Sequence, residues 1–267
     1  MRNIGRGAAQ YGLCSRRRRR VRPDPFHRTR SPRRILLPVP AVPSTRLALR
    51  LWFRPPLRPD NLFGHLVATA VPGIEEWRAG AYRCTLRLPG GPGIAALRPE
   101  SDHIACTLLL TDAADAGSAV ATCRRLLDLD ADPQVVDAHL AGDGVLAPLV
   151  AAAPGRRVPG TAHPDEFALR AVLGQQVSTA AARTHAARLV VAHGAPVTDP
   201  DGGLSHVFPT PSALAEIDPA TLALPAARRR AFVGLVEALA GGRIDLSPTS
   251  DREAAIAALA GLPGIGP

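Results

Sequence analysis

Two short motifs contain residue types that could contact a nucleic acid. The first is Arg170-Ala171-Val172-Leu173-Gly174-Gln175-Gln176-Val177-Ser178, in which Gly174 and two consecutive amides interrupt an otherwise apolar helical pattern. Each Gln amide offers both a donor and an acceptor, which suits contact with a base edge or with an opened helix end. A solvent-facing Gln pair at a helix joint would have the same letters, so the motif has to be weighed together with the second one.

The second motif is Leu262-Pro263-Gly264-Ile265-Gly266-Pro267, which follows a capped amphipathic stretch. An L-P-G-I-G turn after a helix is typical of a helix-hairpin-helix, although an ordinary glycine C-cap could also be written this way. Its glycines allow a positive φ, and a following helix would point the positive end of its dipole at a bound phosphate. We therefore expect Gly264, Ile265 and Gly266 to bind a phosphate backbone, with the second helix of the hairpin after Pro267.

Residue types alone exclude some kinds of chemistry. All 32 residues counted as Lys plus Arg are Arg, so no lysine amine can form a Schiff base with a sugar or another carbonyl. The four cysteines, at positions 14, 84, 106 and 123, show no C-x-x-C pair and no His at ligand spacing. This favours reduced thiols over a zinc or iron–sulfur site, and we expect neither a metal nor a cofactor.

The formal charge of +9 is concentrated at the start of the sequence. Residues 1–34 contain 12 Arg and one acid, Asp24, whereas residues 35–267 contain 20 Arg and 22 acids. Residues 1–43 are also rich in Pro, which predicts a disordered leader. It could be a basic arm that binds phosphates, or an export signal whose apolar stretch is interrupted early by prolines. It could also be a non-native or mis-started leader joined to an ordinary domain.

From residue 44 onward the pattern predicts an α+β protein. Alternating polar and apolar residues predict strands at 46–51, 74–77, 82–88, 93–97 and 103–110, and Asp60 is expected to cap a helix over about 61–70. Together these elements form a small antiparallel sheet with a packed helix, over residues 44–112.

Residues 113–267 predict an all-α domain that ends inside the hairpin. The cap signals and apolar spacing predict helices over 113–127 and 132–140, a long helix after Asp165 interrupted near Gly174, short helices at Thr210-Pro211 and Asp218-Pro219, and a helix from the capping box Ser250-Asp251-Arg252-Glu253 to Ala260.

The two motifs, together with several others in the same order, resemble one family: the AlkA-like 3-methyladenine DNA glycosylases II of the helix-hairpin-helix glycosylase superfamily. The resemblance runs from about Leu47 to Pro267. The matching stretches are L-R-L-W-F-R-P-P from Leu49, G-H-L-V-A-T-A-V-P-G from Gly64, L-L-D-L-D-A-D-P from Leu126, A-P-G-R-R-V-P-G from Ala153, R-A-V-L-G-Q-Q-V-S from Arg170, F-P-T-P from Phe208 and L-P-G-I-G-P from Leu262.

The resemblance implies a monofunctional base-excision-repair enzyme that flips an alkylated base out of double-stranded DNA and hydrolyses its N-glycosidic bond. It places Gln175-Gln176-Val177-Ser178 in the loop that fills the gap left by the flipped nucleotide, and Gly264-Ile265-Gly266 in the phosphate-binding hairpin. Many members have an apolar residue at the position of Gln176, so this wedge would be polar. His65 and Gln175 fall in the implied base pocket, although His65 could equally be a histidine packed within a helix.

The family's catalytic carboxylate is an Asp that follows the second helix of the hairpin, which here would lie after Pro267. The acids Asp165, Asp199 and Asp251 match no catalytic position. We therefore expect a C-terminally truncated glycosylase that is inactive as the 267-residue chain.

Two alternatives stay open. One is a non-enzymatic DNA-binding protein that uses the Arg-rich leader and the half hairpin, and the other is a pseudogene product that does not fold stably. A lyase acting on oxidised bases is disfavoured, because that chemistry uses a lysine.

The expected partner is double-stranded DNA containing alkylated bases. We also expect a monomer in the bacterial cytoplasm, associated with the nucleoid. No apolar run approaches the roughly 18 residues that a membrane span needs, so no membrane partner is expected.

Overall fold

The computed structural model describes residues 45–265, and its first part is built on one antiparallel sheet. The strand order is β1-β5-β4-β3-β2. The strands are β1 Thr45–Trp52, β2 Glu75–Arg78, β3 Ala81–Leu88, β4 Gly91–Pro99 and β5 His103–Leu110. Leu51 of β1 lies opposite Ile104 of β5, and a slip of one residue would turn the apolar face of β1 to solvent. The predicted strands and the α+β class are confirmed.

Nine α-helices follow or interrupt the sheet within residues 45–265. They are α1 Pro59–Thr69, α2 Ala116–Leu126, α3 Pro133–Leu140, α4 Ala147–Ala152, α5 Pro164–Gly174, α6 Thr179–His193, α7 Pro211–Ala215, α8 Ala226–Ala240 and α9 Arg252–Ala260. Short 3-10 helices occupy Ala113–Asp115 and Pro219–Thr221. Among these elements, none combines the length and the hydropathy needed to cross a membrane.

The predicted starts of α1 and α9 are wrong by one residue or more, and α5 begins at Pro164 rather than after Asp165. Asp60 lies inside the first turn of α1, because Pro59 already begins the helix and Arg58 occupies the N-cap; the fixed φ of proline suits a first helical position. The cap of α9 is Asp251 rather than Ser250, since the Asp251 carboxylate accepts from the amides of Glu253 and Ala254. The predicted caps Asp132 and Thr210 are found as expected.

Two apolar cores hold these elements together. In the first core, the sheet packs against α1 through Leu62, Phe63 and Leu66, and α2 adds Ala119, Cys123 and Leu126. In the second core, α5, α6 and α8 pack around Phe208, and the turn after α9 contributes Leu262 and Ile265. The first core thus reaches beyond residue 112, while the domain limits proposed from the sequence stay predictions.

The three cysteines at 84, 106 and 123 are free thiols buried in the first core. Burial raises the pKa of the Cys84 thiol well above its ordinary value, which is the environment of an inert core cysteine. No group of three His, Cys, Asp or Glu side chains placed to hold a metal ion occurs among residues 45–265. The prediction of a disordered leader over residues 1–43 lies outside the described residues.

Candidate functional site

A cavity of about 710 Å³ lies between the two cores. Its walls come from α1, from β2 and β3, from residues 157–162, and from α5 and α6. Apolar side chains such as Leu66, Ile74, Val177 and Ala186 form much of the lining. A volume of this size is within the range of small-molecule sites, which run from about 300 to 1,000 Å³. The cavity can therefore hold a group as large as a nucleobase.

The predicted helix joint forms one edge of this cavity. Gly174 ends α5, Gln175 is its C-cap, and the Ser178 side chain caps α6 by accepting from the amide of Ala181 at 3.2 Å. Gln176 lies between the helices with φ +56°, a left-handed conformation that non-glycine residues adopt rarely. Both Gln side chains are exposed, while Val177 and Gly174 line the cavity. The interruption of the long helix is thus confirmed.

Two ring side chains reach the same cavity from different helices. His65 is exposed on α1 and lines the cavity, as does Phe167 on α5, which is 61% exposed. The fold therefore brings His65, predicted from the sequence, onto the cavity that the α5–α6 joint borders. Phe167 was not predicted, because a Phe in the first turn of a helix is usually a core residue.

A buried network of charged and phenolic groups crosses the cavity wall. Glu75 Oε1 accepts from Tyr82 Oη at 2.9 Å and from Arg170 Nη1 at 3.0 Å, and its Oε2 accepts from the backbone amide of Val71 at 2.7 Å. Arg170 Nη1 also donates to Glu166 Oε1 at 2.9 Å. Through these bonds Arg170 ties α5 to the start of β2, so the network fixes one core against the other.

The two carboxylates of this network are not equivalent. Burial raises the pKa of Glu166 to about 7, and the negative charge of Glu75 adds to the effect, while Arg170 opposes it. Arg170 itself has a raised pKa, because the attraction of Glu75 and Glu166 outweighs its burial. Near neutral pH the cavity therefore contains a permanently charged guanidinium and a glutamate that readily exchanges a proton.

The predicted hairpin turn packs on the second core. Gly264 has φ +81°, and a Cβ at this position would lie 3.0 Å from the Cβ of Ala231 on α8. Glycine is thus required both by the backbone conformation and by the close approach to α8. Ile265 is partly buried against the same core. The third predicted residue, Gly266, lies outside the described residues.

The acids that match no catalytic position of the family have structural partners. Asp165 pairs with Arg87 through two bonds of 2.6 and 2.8 Å, and Asp199 accepts from Arg83 Nη2 at 2.6 Å. Asp251 caps α9. Each carboxylate is thereby held as part of the scaffold.

Sequence reasoning missed Glu75, Glu166, Phe167 and Arg170 as cavity residues. The spacing of Glu166 and Arg170, four residues apart on one helix, is a signal for an ion pair. No local signal links them to Glu75, which lies 95 residues from Arg170 in the sequence.

Comparisons with known proteins place this architecture in a family. Residues 48–163 match the AlkA N-terminal domain family. The chain is 53% identical over 221 residues to a Mycobacterium tuberculosis protein named "Probable bifunctional transcriptional activator/DNA repair enzyme AlkA", covering 83% of this chain and 45% of that protein. It is 32% identical to DNA-3-methyladenine glycosylase 2 of Escherichia coli, covering 81% of this chain and 76% of that protein.

Solved structures share the fold. A 3-methyladenine DNA-glycosylase from Archaeoglobus fulgidus superimposes with a TM-score of 0.69 at 19% identity, covering 82% of this chain and 75% of that one. An 8-oxoguanine glycosylase/lyase from Clostridium acetobutylicum superimposes with a TM-score of 0.59 at 13% identity, covering 79% and 70%.

The fold is one that solved DNA glycosylases share. Within that class, the chain belongs to the AlkA family of DNA-3-methyladenine glycosylase 2, as the match to the E. coli protein shows. It spans less than half the length of the M. tuberculosis relative.

Proposed function

We propose that this protein binds double-stranded DNA as a monomer and takes a flipped-out alkylated base into the cavity, as part of a DNA glycosylase that excises that base. The observation that carries the proposal is that His65 and the α5–α6 joint border the same cavity. The family resemblance assigns His65 to the base pocket and the joint to the gap that a flipped nucleotide leaves in the duplex. Family membership supplies the reaction class. The proposal extends to this chain what the names of its relatives state about them.

The placement of the elements supports a division of roles. The exposed Gln175 and Gln176 stand at the joint between two helices, where a polar wedge could enter a duplex beside the cavity. The Gly264 turn offers backbone amides to a phosphate, and neither contact requires a basic surface. We infer that the excision step needs the family's Asp, which the resemblance places after Pro267.

The binding part of the proposal is tested with the 267-residue chain. Affinity is measured by fluorescence anisotropy for an intact duplex and for the same duplex with a tetrahydrofuran abasic analogue, whose missing base removes most of the cost of flipping. We expect the abasic duplex to bind at least tenfold more tightly, since unstacking and unpairing a base costs a few kcal/mol. Equal affinities for the two duplexes would contradict base flipping.

The catalytic part is tested by extending the chain with the carboxylate that the family resemblance implies. The chain is fused after Pro267 to the segment that follows the corresponding turn in the E. coli relative, and release of methylated purines from methylated DNA is measured. The matched control is the same fusion with Asn in place of the segment's catalytic Asp. Release by the first fusion alone supports the proposal, whereas a well-folded fusion that releases no base contradicts it.

A further inference from the structure

Within the part of the chain that the structure describes, one carboxyl oxygen at the cavity wall has no hydrogen-bond donor. Glu166 Oε1 accepts from Arg170 Nη1 at 2.9 Å, whereas no donor among residues 45–265 lies within hydrogen-bond distance of its Oε2. The side chain is 12% exposed and lines the cavity. Because Oε2 opens onto the cavity and receives no protein donor, a donor on a group held in the cavity can reach it.

The charges of the network do not balance when Glu166 is ionised. Glu75 already receives three hydrogen bonds, one of them from Arg170. The Nη2 of Arg170 donates to the carbonyl oxygen of Thr69 at 2.9 Å. Two carboxylates thus share one guanidinium, and one negative charge stays without an opposite charge inside the cavity wall.

The other charged groups around Glu166 are committed elsewhere. Arg87 of β3 is paired with Asp165, and Arg183 of α6 donates its Nε to the carbonyl oxygen of Ala70 at 2.5 Å. Arg157, at the far wall, donates to three backbone carbonyls. His65 faces the cavity from α1, and His163 precedes α5 with its pKa lowered to about 4, so His163 is neutral near pH 7.

We propose that Glu166 makes the cavity selective for a cationic purine, one alkylated at a ring nitrogen, over a neutral base of the same shape. Its carboxylate supplies the counter-charge, and Oε2 accepts from an exocyclic amino group or lies against the charged ring. This inference rests on the proposed function. Phe167, the neighbouring residue on the cavity wall, adds an aromatic face of the kind that attracts cations.

The selectivity depends on the ionisation of Glu166. A cationic base favours the charged carboxylate and lowers its pKa, whereas a neutral base gains nothing from the charge. Above pH 7 the carboxylate is ionised in the free protein and the preference for the cation is greatest. As the pH falls below 7, the free protein takes up a proton that the cationic ligand has to displace, so the preference declines.

The test compares two duplexes that differ only in the charge of one base. One contains 2′-fluoro-7-methyl-2′-deoxyadenosine, whose base has no ring N–H to lose and so stays cationic from pH 6 to pH 8, and the other contains 2′-fluoro-2′-deoxyadenosine. Their dissociation constants are measured at pH 8 for the 267-residue chain, for Glu166→Gln, and for Glu216→Gln, which changes an exposed glutamate outside the cavity. A duplex with an abasic analogue is the reference for each protein.

We expect the wild-type chain and the Glu216→Gln variant to prefer the cationic duplex, and the Glu166→Gln variant to lose about tenfold of that preference. Binding of the abasic duplex should not change in any of the three proteins. The preference of the wild-type chain should also fall between pH 8 and pH 6, and that of Glu166→Gln should not.

Two results would overturn the inference. If Glu166→Gln weakens binding of all three duplexes equally, Glu166 only holds the helices together. If the wild-type chain shows no preference for the cationic base, the charge of Glu166 is not used. In either case, tighter binding of the abasic duplex than of intact DNA by the wild-type chain would leave the proposed function standing.

Discussion

Replacing Glu166 with Gln should change how the stability of the protein depends on pH. The carboxyl has a pKa of about 7 in the folded protein against an ordinary value of 4.5. The folded state therefore holds the proton more tightly than the unfolded state does. This contribution to stability is fully present below pH 4.5 and is lost as the pH rises through 7.

The size of the loss follows from the gap between these two pKa values. Each pH unit across the gap corresponds to 1.36 kcal/mol, so complete ionisation costs the folded wild-type protein roughly 3 kcal/mol. The Glu166 side chain is only 12% exposed, so solvent screens this cost little. The amide that replaces this carboxyl in Glu166→Gln cannot ionise, and its oxygen can still accept from Arg170. The free energy of unfolding of the variant should lack this decline.

The assay is urea denaturation at a series of pH values from 4 to 8.5, followed by the fluorescence of Trp52 and Trp77 and by circular dichroism. We expect the two proteins to be about equally stable at pH 4, and Glu166→Gln to be more stable by roughly 3 kcal/mol at pH 8.5. Glu216→Gln serves as the control, because it removes an exposed carboxylate and should follow the wild-type curve. A difference that does not vary with pH, or a Glu166→Gln variant that is less stable at pH 8.5, would refute the reasoning.

Three further changes test other parts of the structure. Gly264→Ala should weaken duplex binding in an anisotropy titration about tenfold, since its φ of +81° and its contact with Ala231 exclude a Cβ. The control is Gly242→Ala, which has φ +68° in open space. It introduces the same backbone strain and should leave the affinity for DNA unchanged. Arg157→Met should lower the free energy of urea unfolding by roughly 2–4 kcal/mol, because it strips donors from three backbone carbonyls, whereas the exposed Arg188→Met should have little effect. Deleting residues 1–34, with 12 Arg, should flatten the dependence of log Kd on log salt while the preference for abasic DNA persists, and loss of that preference would assign recognition to the leader.

Local signals in the sequence were enough for most elements of the sheet and for several helix starts. Alternating residues such as Arg46-Leu47-Ala48-Leu49 become β1, with the outer face exposed. In Asp132-Pro133 and in Thr210-Pro211, the first residue is the N-cap and the proline is the first residue of the helix. These features depend on neighbours within four residues, so the local sequence is enough to predict them.

The helix α8 could not be predicted in the same way. It starts after Pro225 without a side-chain cap, and it buries residues at 231, 232, 235, 236 and 238. The side of these later turns that faces away from the second core has the small residues Gly234 and Ala240 beside Glu237. Polar and apolar residues therefore do not separate clearly into two faces, and the helical period is weak. Tertiary packing, rather than a local pattern, determines this element.

The cavity was beyond local reasoning for a related cause. Arg170 Nη2 donates to the carbonyl of Thr69, 101 residues away in the sequence, and Glu166 acquires its raised pKa only because the two cores exclude water around it. The joint at Gly174 was visible as an interruption, and His65 came from the family resemblance. The charged groups between them become a site only once the cores are packed together.

This arrangement separates the two tasks that the proposed function requires. The Gly264 turn rests on α8 of the second core, where a change should alter the affinity for any duplex. Glu166 and Arg170 lie between the cores, bonded to Glu75 at the start of β2, where a change should alter which base is held. If both kinds of substitution affected all duplexes alike, the cavity would act only as a structural joint. Independent effects of Gly264→Ala and Glu166→Gln, additive in the double variant, would show that phosphate binding and base selection use separate parts of the fold.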